Sequence, residues 1–163
     1  MRNPLSVYLI CGGNEADYLA RCLESFKPIA KEFVVCLAGG NNPTAEEEKV
    51  ALAHGARVVR YENQRKDWPH IDDFATARNT ALEACSEKWA MWVDADDEMQ
   101  PGAEGVIDEA ITKAEERRFS VNDRLDFLPI NRGSVIGLFH RQINGVGVLN
   151  GLDSLLNRLS RRC

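Results

Sequence analysis

The 163-residue sequence has no run of apolar side chains approaching the roughly 18 needed to cross a membrane as a helix, which argues against an integral membrane protein. Its first apolar stretch meets Gly12-Gly13 within a few residues, too soon for a signal-peptide core followed by a cleavage site. The expectation is a cytoplasmic protein, at most peripheral at the inner face of a membrane. Cysteine pairing is also missing. Cys11, Cys22, Cys36, Cys85 and Cys163 make an odd count without a Cys-x-x-Cys pair, so neither a disulfide framework nor a zinc site is indicated. The three histidines, His54, His70 and His140, are isolated and read as surface or loop residues. Net basic charge is lacking as well: 20 Lys and Arg stand against 25 Asp and Glu, a net charge of -5, which removes the electrostatic footprint of a general nucleic-acid binder.

What is present fits one folded domain. Hydrophobic residues at 44% and charged residues at 28% are ordinary for a soluble globular chain and unlike disordered ones. The charge is uneven, with 12 basic and 22 acidic residues in 1–116 and 8 and 3 in 117–163. A basic segment of this kind is ordinarily a solvated face, although an acidic acceptor or a membrane surface would also suit it.

Leu5 to Cys11, Phe33 to Leu37, Arg57 to Tyr61 and Trp89 to Val93 read as short buried strands. Helical patterns separate them. Asn14 is placed as N-cap of the first helix, with Leu19, Cys22, Leu23 and Phe26 inward until Pro28. Asn42-Pro43 opens the second, with Glu46, Glu47 and Glu48 in its first turn and Gly55 at its end. The third runs from about Asp72 to Cys85, with Phe74, Ala81, Leu82 and Cys85 on one stripe. A fourth helix over Ala103 to Glu116 turns Val106, Ile107, Ala110, Ile111 and Ala114 inward. Beyond it, Leu125 to Ile130 and Ser134 to Arg141 fit antiparallel strands, Asn144 to Gly151 is glycine-rich, and Leu152 to Leu159 fits a short helix. Alternating strands and helices predict an α/β fold with a mainly parallel central sheet and helices on both faces. In such sheets ligands sit beyond the carboxyl ends of the strands, which singles out Gly12 to Glu15, Ala38 to Asn42 and Asp94 to Glu98.

Asp94-Ala95-Asp96-Asp97-Glu98 sets four carboxylates directly after a buried strand, where their repulsion asks for a cation or hydroxyl donors. Oxygen ligands without His or Cys suit Mg²⁺ or Mn²⁺ bridging a diphosphate. A solvated acidic turn is the plain alternative. Asp72-Asp73-Phe74-Ala75-Thr76-Ala77-Arg78-Asn79 opens the third helix, and Arg78 falls near its packed face, where an arginine needs a carboxylate or phosphate partner. Contact with a nucleotide phosphate and a structural ion pair with Asp73 or Asp94 are both open. Asn14-Glu15 could meet a base or ribose, or simply cap the first helix.

Taken together, Ser6-Val7-Tyr8-Leu9-Ile10 with Asn14-Glu15, the Asp72 to Asn79 segment, and Trp92-Val93-Asp94-Ala95-Asp96-Asp97-Glu98 resemble the nucleotide-binding half of the family 2 glycosyltransferases over roughly residues 5–115. The resemblance implies the Rossmann-like GT-A fold of nucleotide-diphospho-sugar transferases. It implies transfer of a sugar from a nucleotide-sugar donor, commonly UDP-linked, to a saccharide, lipid-linked or protein acceptor hydroxyl with inversion. It also implies a divalent cofactor, Mn²⁺ or Mg²⁺, on Asp96, with Asp94 nearer the ribose and sugar, and Asn14, Glu15, Arg78 and Asn79 at the donor. Residues 1–116 would form the nucleotide-sugar-binding core and 117–163 a short or divergent acceptor part of the same domain.

Two departures stand out. The acidic residue usual at the end of the second strand is absent, leaving Asn41 and Asn42, and the catalytic base cannot be identified among Asp123, Asp126 and Asp153. The alternative function is a nucleotide or nucleotide-sugar binding module without turnover. A nucleotidyltransferase is weaker still, because Gly12-Gly13 has no basic residue beside it to form a phosphate loop.

Overall fold

In the computed structural model the described residues are 4–116, 128–130, 134–136 and 138–140. The strand β1 (Leu5–Cys11) lies at the centre of a five-stranded sheet. It pairs in parallel with β2 (Glu32–Leu37) on one side and β4 (Trp89–Trp92) on the other, and β3 (Arg57–Arg60) extends the sheet beyond β2, also in parallel. A short strand Leu138–His140 closes the other edge, antiparallel to β4, while Leu128–Ile130 and Ser134–Ile136 form a separate antiparallel pair. Numbered in chain order these three are β5 (Leu128–Ile130), β6 (Ser134–Ile136) and β7 (Leu138–His140), giving the sheet order β3-β2-β1-β4-β7.

Because side chains alternate along a strand, β1 divides its residues between two cores. Leu5, Val7, Leu9 and Cys11 face a large cluster with Phe33, Val35, Trp89 and Met91, covered by Leu19, Cys22, Leu23 and Phe26 of α1 (Ala16–Phe26), Ala51 of α2 (Ala45–Ala53), and Ile107 and Ile111 of α4 (Ala103–Glu116). Tyr8, Val34, Cys36 and Ala90 face a smaller cluster beneath Ala81 and Cys85, at the end of α3 (Phe74–Ala84). Helices therefore cover both faces, as the alternating pattern predicts.

Several local expectations are corrected. Asn14 does not cap α1; it adopts φ 68° in the turn, and Glu15 takes the cap position. Thr44, not Asn42, precedes α2, because the Asn42 amide is used to close a turn onto the Gly39 carbonyl at 2.9 Å. Gly55, with φ 72°, ends α2 as expected. Phe74 is 52% exposed rather than inward: α3 approaches the sheet on the small residues Ala77 and Ala81, and Phe74 stands at the helix start beyond the strand ends. Val106 is also exposed, since α4 packs along Ala103, Ile107 and Ile111 at i, i+4 and i+8. The inward placement expected for Ala114 lies outside the described side chains, and Cys163, the glycine-rich segment 144–151, the helix expected over 152–159, and Asp123, Asp126 and Asp153 lie outside the described residues. Cys11, Cys22, Cys36 and Cys85 are buried free thiols. Burial, with nearby carboxylates, pushes Cys22 up to about 12, so it stays protonated at neutral pH. No helix among the described residues is long and apolar enough to cross a membrane.

Close backbone approach shapes the end of β2. A Cβ on Gly39 would sit 2.3 Å from the Asn42 carbonyl oxygen and 2.7 Å from the Thr44 methyl group. Gly39→Ala must therefore displace the turn that lines the cleft described below. The expected loss is about 1–3 kcal/mol, read as a lower urea midpoint at unchanged m-value.

Candidate functional site

The carboxyl ends of β2, β1 and β4 open onto a cleft of about 590 Å³, the position at which open α/β sheets hold ligands. Its walls come from the β1–α1 turn (Gly12, Gly13, Glu15), the loop after β2 (Ala38, Gly39, Asn42), the loop after β4 (Asp94, Ala95, Asp96) and the start of α3 (Phe74, Arg78). Of the residues proposed from sequence, Glu15, Arg78, Asp94 and Asp96 line this cleft together. Asn14 and Asn79 are not among its lining residues.

The four carboxylates after β4 do not share one role. The Asp97 carboxylate turns back to accept from the Asp94 amide at 2.9 Å, and the Asp97 amide donates to the Asp94 carbonyl at 3.1 Å. Glu98 accepts from Arg21 Nε at 2.9 Å. Asp97 thus shapes the turn and Glu98 ties it to α1, leaving Asp94 and Asp96 toward the cleft. The Cys22 thiol further fixes the turn through the Asp94 carbonyl at 3.5 Å.

Water reaches Asp94 from the cleft, but protein crowds its other sides. Burial pushes its carboxyl up to about 6; Asp97, Asp96 and Glu15 raise it further by repulsion, and Arg78 opposes them. Arg78 is held with its guanidinium carbon over the Trp92 ring, 4.2 Å from the centroid, a cation–π contact that keeps the charge near Asp94. The site carries more negative charge than its own residues balance, the condition under which a cation binds.

A stability test follows from the sign of this shift. The unfolded carboxyl titrates near 3.9, so the folded state binds the extra proton between about pH 4 and about pH 6. Stability from this group is lost as pH rises through that window, and the penalty is complete above it. In metal-free buffer Asp94→Asn is therefore expected to melt about 2–4 °C above the wild type at pH 7.5, with the difference gone at pH 3.5. Equal melting at both pH values would show that Asp94 is not destabilised by its surroundings.

Five lining residues escaped the sequence reading in the role of cleft residues: Ile10, Tyr18, His70, Ile71 and Phe74. His70 and Ile71 lie in the loop after β3, which opens at the same sheet edge as the loops after β1, β2 and β4. That loop is docked onto the β2 turn by the Asn41 amide, which donates to the Pro69 carbonyl at 3.2 Å. Its position after a parallel strand was the available signal. Tyr18 is half exposed beside Arg21, 5.0 Å from its ring centroid, so its ring is available to the cleft rather than to the core.

Comparison with known proteins agrees with this architecture. A model of glycosyl transferase family 2 matches residues 9–116, from β1 to the end of α4. A TPR repeat-containing protein of Synechococcus elongatus is 35% identical over 86 residues, 53% of this chain and 19% of the relative. The lipopolysaccharide core biosynthesis glycosyltransferase LpsC of Rhizobium meliloti is 30% identical over 114 residues, 69% of this chain and 39% of the relative. The chain thus spans well under half the length of either. The crystal structure of S. aureus TarS 1-349 superposes with a TM-score of 0.50 at 18% identity, over 80% of this chain and 39% of that one. That likeness concerns the fold alone, which is the α/β GT-A architecture. With two-thirds of its length matched by the family model, from the central strand through the acidic turn, the chain belongs to glycosyl transferase family 2.

Proposed function

We propose that the chain is the donor-binding part of an inverting glycosyltransferase that takes a sugar from a nucleotide-diphospho-sugar, UDP-linked in the first instance, and passes it to an acceptor hydroxyl. The observation that carries this reading is the convergence of Asp94, Asp96 and Arg78 in one cleft at the carboxyl edge of a parallel sheet. Residues 1–116 form the nucleotide-sugar core, and 117–163 belong to the same domain on the acceptor side.

The donor set suits a hard divalent cation, Mn²⁺ or Mg²⁺. Asp94 and Asp96 offer carboxylate oxygens only, and both line the same cleft. Among the described residues no group of three or more His, Cys, Asp and Glu is placed to hold a metal ion by itself. An open pair fits a cation whose remaining positions are filled by substrate oxygens and water. Asp96 would hold the cation, with Asp94 nearer the ribose and sugar. When bound, the cation stabilises the negative charge that develops on the departing diphosphate.

The chain's own groups do the rest. Arg78 binds phosphate oxygens from a position held against the Trp92 ring, so little side-chain entropy is lost when the donor arrives. Glu15 and the glycine backbone of the β1–α1 turn form one wall, and Asn42 presents an amide, both donor and acceptor, where a base or ribose would lie. Holding the donor rigidly against an acceptor lowers the barrier by removing orientational entropy.

The test is nucleotide release from a panel of UDP-, GDP- and CMP-linked sugars, with and without Mn²⁺, on the full chain. Mn²⁺-dependent release of UDP, lost on chelation, supports transfer or donor hydrolysis. Tight metal-dependent nucleotide binding with no product would instead support a binding module without turnover.

A further inference from the structure

Glu47 is a charged side chain enclosed by protein, with 2% of its surface exposed. Its neighbours in the first turn of α2 serve the surface: Glu46 pairs with Lys49 at 2.7 Å and Glu48 with Arg60 at 2.6 Å. These two already place negative charge at the helix N-terminus, so helix stability alone gives no reason to bury a third carboxylate. Glu47 instead reaches across to the β1–α1 turn, where its Oε1 accepts from the Glu15 amide at 2.8 Å. Glu15 in turn closes the loop on itself, its Oε2 accepting from the Gly12 amide at 2.6 Å.

Between these bonds the backbone is held in an unusual shape. Asn14 sits at φ 68°, in the left-handed region that few non-glycine residues occupy. Gly13 is pressed against the lead-in to α2, where a Cβ would lie 2.6 Å from the Pro43 carbonyl oxygen and 2.7 Å from the Asn42 Cβ. Asparagine is among the few side chains that enter this region readily, and the turn that carries it is held from both sides. Gly12, Gly13 and Glu15 all line the cleft; Glu47 is not among its lining residues.

We propose that Glu47 is a positioning residue for the donor site. Its carboxylate fixes the Glu15 amide, and through Glu15 the Gly12 amide, so that the turn keeps the conformation in which its backbone and the Glu15 side chain form the cleft wall. The inference rests on the donor-site reading above, and its test separates the two.

Glu47→Leu removes the acceptor at similar volume, while Glu47→Gln keeps an oxygen at the same position. UDP affinity is measured with Mn²⁺ at temperatures well below each variant's melting point, and amide hydrogen exchange is followed in the free proteins. Loss of a hydrogen bond to a charged group predicts about tenfold weaker UDP binding for Glu47→Leu, with Glu47→Gln within about threefold of the wild type. It also predicts about tenfold faster exchange at Gly12 and Glu15 in Glu47→Leu, without the same change in the interior amides of β1 and α2. Wild-type affinity and wild-type exchange in Glu47→Leu would overturn the proposal, as would a Gln variant that falls as far as the Leu variant. If Glu47→Leu does not fold, Glu47→Met makes the same comparison with a more adaptable side chain. If the wild type binds no UDP, the donor reading fails while the exchange measurement still decides the role of Glu47.

Discussion

Asp96→Asn is expected to abolish the Mn²⁺-dependent stabilisation of the protein by UDP while leaving its unliganded melting temperature nearly unchanged. The side chain stands exposed at the cleft, on a turn whose geometry is set by other groups: the Asp97 carboxylate on the Asp94 amide, the Asp97 amide on the Asp94 carbonyl, and Glu98 on Arg21. An amide of the same shape should preserve that turn. It cannot supply the anionic oxygen that a hard divalent ion selects. The wild type at 100 times its Kd for the nucleotide gains about 2.7 kcal/mol, several degrees for a domain of this size, whereas the variant is expected to gain less than about one degree. A variant that keeps the full Mn²⁺-dependent shift would remove Asp96 from the metal site.

The second large effect concerns Arg78. Arg78→Lys is expected to weaken UDP binding about 10- to 100-fold despite keeping the charge, because charge-assisted hydrogen bonds from a fixed guanidinium are worth about 1.5–3 kcal/mol. The guanidinium carbon lies 4.2 Å from the Trp92 centroid, in cation–π contact with the ring. An ammonium on a flexible stem has no flat face to stack and no paired donors to offer. Arg78 also draws the Asp94 carboxyl downward against burial and Asp97, so a displaced charge should let Asp94 rise further above about 6. Titration calorimetry with UDP and Mn²⁺ at pH 7.5 checks the affinity. Binding by Arg78→Lys within twofold of the wild type would show that charge alone suffices at this position.

Much of the fold was readable because burial wrote itself into short apolar runs. The limits of β1 coincide with the expected ones, since Pro4 and Gly12 stop its pattern, and α4 starts where expected, directly after Gly102. The caps were less legible. Asn14 and Asn42 have the composition of N-caps, yet tertiary contacts used both elsewhere, Asn14 in a left-handed turn and Asn42 in closing the loop after β2. Phe74 looked like a core residue on a helical stripe, but the two alanines beneath α3 set the approach distance and left the ring at the cleft.

At the candidate site, the acidic turn after β4 was visible as a cluster, but its division of labour was not. Spacing alone does not show that Asp97 and Glu98 are engaged by the Asp94 amide and Arg21 while Asp94 and Asp96 face the cleft. Glu47 was hidden for the opposite reason. Three consecutive glutamates at a helix start read as one surface feature, and only the packing of α2 against the β1–α1 turn shows that the middle one points inward to Glu15.

The central claim is that this cleft binds a nucleoside diphosphate through a divalent cation. It is tested most directly by a thermal-shift titration of the full chain with UDP, GDP and CMP, each with and without Mn²⁺. The account predicts a rise of several degrees with UDP that requires Mn²⁺ and is removed by a chelator. No shift with any of the three nucleotides, at concentrations to the millimolar range, would contradict it.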